Sequence, residues 1–263
     1  MARSAIINVM VQTAMKAGRS LARDFGEVQN LQVSLKGPGD YVSQADRKAE
    51  EIIYTELSKA RPGYSFLMEE RGEVEGDDGQ HRWIVDPLDG TTNFLHGIPI
   101  FAISIALERQ GQIVAGVVYN PAMDELYTAE RGGGAFMNDR RLRVAARKNL
   151  SDTVVSTGIP HLGRGHHGHA LIDLKNVMGE TAGIRRLGAA SLDLAWVAAG
   201  RFDGYWESWL APWDLAAGIL LVREAGGFCS DRNGGQEMFD DGSIVAGNEA
   251  IHKALLKTLQ KRA

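Results

Sequence analysis

Apolar positions follow a helical period at the start of the chain and a strand period in its middle. One helical face of the N-terminal segment carries apolar residues: Ile6, Met10, Ala14 and Leu21. The basic residues interspersed with them indicate an amphipathic helix rather than a signal peptide. A capping box begins a second helix at Ser43, and Arg61-Pro62-Gly63 ends it. Residues 101–144 alternate in short segments broken by turns, which predicts a meander of antiparallel hairpins.

Beyond Thr153 the predicted strands lie further apart, with helices between them. The pattern predicts strands at 153–159, 203–207 and 243–248, and helices at 169–179, 191–200, 213–226 and 248–262. The predicted elements therefore change in character near residue 150, which divides the chain into an α+β lobe (1–150) and an α/β lobe (151–263). Because no Pro/Gly/Ser linker separates the lobes, we expect one compact body with a shared cleft.

Composition narrows the class of protein. The 263 residues are 44% hydrophobic and 24% charged, which suits a globular core and excludes a disordered chain or a coiled coil. No apolar stretch is long enough to cross a membrane. The net charge of −4 gives no general attraction to nucleic acid or to an anionic membrane. A single cysteine, Cys229, fits a reducing compartment, so we expect a cytoplasmic protein.

The most informative segment runs from Trp83 to Phe94. A predicted apolar strand ends in Asp86, a proline follows in what the pattern predicts to be a turn, and Asp89 comes three residues later. Two carboxylates this close need a counter-charge, and a hard divalent cation is a natural partner. Residues 90–92 then offer amides and hydroxyls at an apparent helix start, which suits phosphate. Taken alone, the segment is equally compatible with a polar turn capped by Asp and Thr.

Two further acidic positions favour the metal interpretation. Glu69 and Glu70 follow directly on a predicted strand, and Asp214 falls in the first turn of a predicted helix. An acid at that helix position also complements the helix dipole without any metal. Three acidic clusters at strand or helix ends are, however, typical of a two-metal site for phosphoryl chemistry.

These segments resemble the inositol monophosphatase family. Trp83 to His96 is similar to the first signature of the family, and Trp213 to Leu221 is similar to the second. The resemblance implies an α+β fold of alternating α and β layers, of the inositol monophosphatase and fructose-1,6-bisphosphatase type. It also implies a lithium-sensitive phosphomonoesterase with two or three Mg²⁺ ions per site, acting as a homodimer.

The resemblance further implies roles for individual residues. Glu69, Asp86 and the Leu88 carbonyl would hold the first metal, and Asp86, Asp89 and Asp214 the second. Thr91, together with Glu69 and supported by Asp46, would orient the attacking water, with Lys36 in an outer shell. The implied substrate contacts are Asp89, Gly90, Thr91, Thr92, Gly188, Ala189, Ala190, Glu207 and Asp214.

Three positions depart from the family pattern. Met68 stands where a glycine usually precedes the two glutamates, Ala189 replaces a frequent hydroxyl, and Ala211-Pro212 precedes Trp213. The last two positions touch substrate in the family, so the resemblance leaves the substrate open.

The resemblance therefore leads to three hypotheses about function. The first is hydrolysis of myo-inositol 1-phosphate to myo-inositol and phosphate. The second is hydrolysis of a related ester, such as fructose 1,6-bisphosphate, histidinol phosphate or 3′-phosphoadenosine 5′-phosphate. The third is a main role in binding transcription machinery or RNA, against which the acidic net charge and the complete ligand set argue. For the homodimer, the apolar meander is the expected surface.

Two other features are ambiguous in the sequence. Four histidines (His161, His166, His167 and His169) suggest zinc, but their glycine-rich setting without cysteine favours a mobile surface loop. Trp206 and Trp209 flank Glu207, and for both we expect core packing rather than stacking on a ligand.

Overall fold

The computed structural model describes residues 3–27, 33–37, 40–163 and 165–261, and of 33–37 and 40–42 only the backbone. The helices of these residues are α1 (Ala5–Phe25), α2 (Gln44–Ala60), α3 (Thr91–Leu95), α4 (His167–Met178), α5 (Ala190–Ala198), α6 (Pro212–Glu224), α7 (Met238–Asp241) and α8 (Glu249–Leu259). The strands are β1 (Val33–Gly37), β2 (Asp40–Ser43), β3 (Ser65–Met68), β4 (Gly72–Val74), β5 (His81–Asp89), β6 (Ala102–Arg109), β7 (Gln112–Asn120), β8 (Glu125–Glu130), β9 (Gly134–Met137), β10 (Arg140–Arg141), β11 (Val154–Thr157), β12 (Gly183–Arg185), β13 (Gly204–Ser208), β14 (Phe228–Ser230) and β15 (Ser243–Gly247).

Two large sheets organise the described residues, and β1 and β2 form a separate two-stranded sheet. The larger sheet has the order β10-β9-β8-β7-β6-β5-β3-β4 and is antiparallel except where β3 pairs with β5. The smaller sheet has the order β12-β11-β13-β15-β14 and is mixed, since β11 is parallel to β13 whereas β13 is antiparallel to β15. The predicted meander is confirmed as β6 to β10, and the predicted helices are found as α1, α2, α4, α5, α6 and α8.

Helices cover both faces of the larger sheet because its strands are apolar on both sides. Along β5, Trp83 and Val85 belong to a core formed with α1 and α2. Ile84, between them, belongs to a core formed with α5, α6 and the smaller sheet. A third apolar cluster packs α4 and α8 on the outer face of the smaller sheet. The result is a stack of alternating helix and sheet layers, which confirms the expected fold class.

The core between the sheets draws residues from both sides of position 150, for example Ile84 and Leu220. The division into lobes at 1–150 and 151–263 stays a prediction. Within the described residues, no helix combines the length and apolar character that a membrane span requires.

The structure corrects two expectations. First, β5 does not stop at Asp86: it continues through Pro87 to Asp89, with an irregular register against β6 between the two aspartates. Second, β6 and β7 of the meander are buried almost throughout, under α6 on one side and α1 on the other, so these two strands do not offer the dimer surface expected of the meander, whereas its edge strand β10 is exposed. Apolar character on both faces of these strands reflects burial between helices rather than a partner chain.

Candidate active site

Asp86 and Asp89 lie at the end of β5, where the irregular pairing with β6 changes the strand's course. The backbone amide of Leu88 donates to Asp86 Oδ1 at 2.8 Å, so this turn of the chain fixes the first carboxylate. The next residue after the strand, Gly90, has φ 92° and caps α3. A Cβ atom there would lie 2.9 Å from the Ile100 carbonyl oxygen, so the tight exit from the strand requires glycine.

Asp214 joins these two carboxylates from the first turn of α6. Its Oδ2 accepts a hydrogen bond from the Ala211 amide at 2.7 Å, as an acid at a helix N-terminus commonly does. One carboxylate oxygen from each of Asp86, Asp89 and Asp214 lies within 4.8 Å of the other two. Glu69, which follows β3, lines the same cavity.

The charges in this cluster oppose one another. Burial, and then the neighbouring Glu69, Asp89 and Asp214, hold the pKa of Asp86 well above its ordinary value. Burial raises the pKa of Asp89 to about 6, against the lowering effect of Ser191. Burial, followed by the charge of Asp89, also raises the pKa of Asp214. Three carboxylates at this spacing, two buried and that of Asp214 partly buried, fit a hard divalent cation, since oxygen donors and negative charge are what Mg²⁺ or Ca²⁺ requires.

Thr91 and Asp46 meet beside the carboxylates, as the sequence resemblance implied. The Thr91 hydroxyl lies 3.0 Å from Asp46 Oδ1 and 3.1 Å from the Leu88 carbonyl oxygen. Asp46 is fully buried in the first turn of α2, where its Oδ2 accepts hydrogen bonds from the amide and the hydroxyl of Ser43. The predicted capping box is therefore also the support that holds Asp46 towards Thr91.

The carboxylates lie in a cavity of about 610 Å³ between the two sheets, within the usual size range of small-molecule sites. Nearly all the expected site residues line it: Glu69, Asp86, Leu88, Asp89, Gly90, Thr91, Thr92, Gly188, Ala189, Ala190, Glu207 and Asp214. Asp46 lies behind Thr91. Lys36 belongs to β1 by its backbone, and its side chain lies outside the described residues.

Glu207 and the segment 188–190 form the wall of the cavity away from β5. The Tyr205 hydroxyl donates to Glu207 Oε2 at 2.5 Å. A Cβ atom on Gly158 would lie 1.8 Å from the Glu207 carboxyl carbon, so only a glycine there lets the carboxylate take this position. Gly188 has φ 83°, and the neighbouring Leu187 carbonyl accepts a hydrogen bond from the Asn93 side chain at 2.9 Å.

Sequence reasoning missed Ser191, which holds Asp89 from α5. The amide and the hydroxyl of Ser191 donate to Asp89 Oδ2 at 2.7 and 2.5 Å. The only signal in the sequence was a hydroxyl immediately after the Gly188-Ala189-Ala190 run, next to a predicted helix start. Since 102 residues separate the two partners, local pattern did not indicate the contact.

The histidine segment is partly helical rather than an open loop throughout. His167 and His169 lie in α4, and His166 caps this helix by accepting the His169 amide through Nδ1 at 3.2 Å. Among the described residues, the one cluster that meets the geometry of a metal site contains Asp86, Asp89 and Asp214 and no histidine.

Comparison with known proteins agrees with this geometry. A model of the inositol monophosphatase family matches residues 2–263. The chain belongs to the inositol monophosphatase family. The expected enzyme class, a phosphatase, is thereby confirmed.

Individual members of this family are very similar to the chain. It is 78% identical over 261 residues to the inositol-1-monophosphatase of Mesorhizobium japonicum, covering 99% of this chain and 98% of that one. It is 46% identical to the Nus factor SuhB of Pseudomonas aeruginosa, over 97% of this chain and 96% of the relative. A crystal structure of SuhB from Bartonella henselae superposes with a TM-score of 0.97 at 68% identity, covering 99% and 100% of the two chains.

The crowded carboxylates predict an unusual response of stability to substitution. The folded state raises the pKa of Asp86 above that of the unfolded chain, so the folded protein retains a proton that unfolding releases. Without a cation, stability should therefore fall as pH rises above about 4. We expect Asp86→Asn, in the presence of a chelator at pH 7, to raise the midpoint of thermal unfolding by about 2–4 °C per kcal/mol of repulsion removed.

The difference between variant and wild type should shrink as pH falls towards 4, because the wild-type carboxyls then take up protons. Asp203→Asn is a matched control, since this buried acid is paired with Arg147 at 3.0 Å and should lose stability when neutralised. Scanning calorimetry at several pH values measures both. A lower midpoint for Asp86→Asn at pH 7 would contradict mutual repulsion in the site.

Proposed function

We propose that the protein hydrolyses a phosphate monoester in a Mg²⁺-dependent reaction, with myo-inositol 1-phosphate as substrate and myo-inositol and phosphate as products. The observation that carries this proposal is the convergence of Asp86, Asp89 and Asp214 at the floor of the cavity. The names of relatives at 78%, 73% and 54% identity, all inositol-1-monophosphatases, support the choice of substrate.

In this proposal the carboxylates divide between two cation positions. Glu69, Asp86 and the Leu88 carbonyl would hold one Mg²⁺, and Asp86, Asp89 and Asp214 would hold another, of the two or three that the family resemblance implies. Mg²⁺ supplies a Lewis acid that lowers the pKa of a water molecule and offsets negative charge on the phosphate. The backbone amides of Leu88, Ser191 and Ala211 each donate to one oxygen of an aspartate and so help to fix the three carboxylates around the cation positions.

The remaining residues position the reactants. Thr91, supported by Asp46, and Glu69 orient the water that attacks phosphorus, with Lys36 in an outer shell. The Gly90, Thr91 and Thr92 segment at the start of α3 faces the cavity and binds the phosphoryl oxygens. The hydroxyls of the substrate contact Gly188, Ala189, Ala190, Glu207 and Asp214. As the bond from phosphorus to the ester oxygen breaks, that oxygen takes up the proton that the attacking water releases and leaves as an alcohol.

A second role, in binding transcription machinery or RNA, is suggested by the relatives named Nus factor SuhB. The complete set of acidic residues favours hydrolysis as the main activity of this chain, and its net charge of −4 offers no general attraction for nucleic acid. The buried single thiol, Cys229, supports a cytoplasmic location in either case.

The proposed chemistry predicts a loss of activity at the ligand positions. We expect Asp86→Asn and Asp214→Asn each to lower kcat/KM for myo-inositol 1-phosphate at least about 100-fold, because even residues that only support metal ligands commonly give 10- to 100-fold losses. Asp203→Asn, remote from the cavity, should keep its activity. The assay should include fructose 1,6-bisphosphate, histidinol phosphate and 3′-phosphoadenosine 5′-phosphate, and a higher kcat/KM for any of these would overturn the proposed substrate.

The second cation position predicts the mode of inhibition by lithium. Li⁺ is close in size to Mg²⁺ but has half its charge, so it suits the Asp86, Asp89 and Asp214 carboxylates without matching the Lewis acidity of Mg²⁺. Binding after turnover should give uncompetitive inhibition, in which kcat and KM fall together. Steady-state kinetics at several LiCl concentrations, with NaCl as the ionic-strength control, measure this. Inhibition competitive with substrate would contradict a labile cation at Asp214.

We also propose that the protein is a homodimer, as the family resemblance implies. The interface between the two chains must lie outside strands β6 to β8, which are buried between helices. Light scattering at micromolar concentration should give about twice the 28.6 kDa mass of the chain. A single species at the mass of one chain would refute the dimer.

A further inference from the structure

The two tryptophans that flank Glu207 occupy different environments. Trp206 is 5% exposed and belongs to the apolar cluster between the smaller sheet and α8. Trp209, one residue beyond the end of β13, is 48% exposed and lines the cavity together with Glu207. The expectation of core packing is therefore confirmed for Trp206 and is wrong for Trp209.

Trp209 holds a backbone conformation that bulky residues rarely adopt. Its φ is 66°, in the left-handed region, which is unfavourable for a side chain of this size. Such strain persists where the surroundings impose it, and it concentrates at ligand-binding positions. The adjacent backbone is held, because the Leu210 amide donates to the Gly242 carbonyl at 2.8 Å.

Contacts with the loop of residues 158–163 and with Gly165 position the indole. A Cβ atom on Gly165 would lie 2.7 Å from Trp209 Cε3 and 2.8 Å from Pro160 Cβ, so the ring packs against this backbone only because residue 165 is glycine. The same loop receives Glu207 at Gly158. One wall of the cavity thus presents a carboxylate and an aromatic ring whose positions depend on these two glycines.

Exposed apolar side chains line the cavity beside Trp209, together with the polar side chains of His161, His167 and Arg186. Ile159 is 43% exposed and Leu162 71% exposed, and both line the cavity with Trp209. Large apolar side chains left in water around a concave site are typical of ligand contacts. A ligand that spans this cavity therefore meets carboxylates at its phosphate end, then Glu207, and then an aromatic ring.

We propose that Trp209 is a specificity-determining residue that stacks on the C–H face of a ring-shaped polyol or sugar monophosphate. Such a ring carries its hydroxyls at the edge and C–H groups on its faces. The face of an indole is electron-rich and attracts C–H groups, while Glu207 accepts hydrogen bonds from hydroxyls. This inference rests on the proposed function and narrows it, because an acyclic phosphate monoester has no ring face to offer.

Replacement of the ring tests the proposal. Trp209→Gly removes the indole and suits the left-handed backbone, and Trp209→Phe keeps an aromatic face. With Trp209→Gly, KM for myo-inositol 1-phosphate should rise about 2- to 12-fold while kcat stays near the wild-type value. KM for the acyclic glycerol 2-phosphate should stay unchanged. Trp209→Phe should resemble the wild type for both esters.

Phe228→Ala is the matched control, since Phe228 is also 48% exposed but does not line the cavity. It should alter neither KM, and circular dichroism confirms that each variant folds. Equal rises in KM for both esters after Trp209→Gly would overturn the proposal, because Trp209 would then only support the cavity wall. An unchanged KM for the cyclic ester would also overturn it. A wild-type enzyme inactive on both esters would instead contradict the proposed function, and this inference with it.

Discussion

The crowding of three aspartates away from water, two of them buried and Asp214 partly buried, is the constraint on which the site depends. Asp86, Asp89 and Asp214 come from two elements more than a hundred residues apart, yet they bring oxygens within 4.8 Å of one another. Each carboxylate has one oxygen fixed by a backbone amide, from Leu88, Ser191 and Ala211 respectively. The fold thereby holds the carboxyl groups in place at a cost to their ionisation, and a divalent cation would supply the counter-charge that lets them ionise together.

The layered packing supplies the rigidity that such an arrangement requires. α5 and α6 lie between the two large sheets and begin at the cavity. Ser191 and Asp214 each lie in the first turn of one of these helices. The two helices approach closely because Gly218 has no side chain: a Cβ atom there would lie 2.5 Å from Leu194 Cδ1. Close packing of this kind transmits a shift of α5 to Asp214 on α6, and a shift of α6 to Ser191 on α5.

The acidic residues and the aromatic and apolar residues lie in different parts of the cavity. Its floor consists of acidic residues that suit one reaction on any phosphate monoester, whereas its wall and mouth carry Glu207, Trp209 and Leu162. Gly158 and Gly165 leave room for Glu207 and Trp209, so the position of these wall side chains depends on a loop that supplies none of the three aspartates. This separation explains why the family resemblance fixed the reaction class more firmly than the substrate.

The sequence by itself determined the local elements and the acidic positions of the site. Helical periodicity, the capping box at Ser43 and the turn residues of the meander act within a few residues, so pattern alone located α1, α2 and β6 to β10. Only the tertiary structure decided the contacts between distant residues. Four features depend on which elements pack together. They are the continuation of β5 through Pro87, the burial of the meander between helix layers, the hydrogen bond from Ser191 to Asp89, and the difference in exposure between Trp206 and Trp209. Packing between distant segments leaves no local periodicity, and for that reason the sequence did not reveal it.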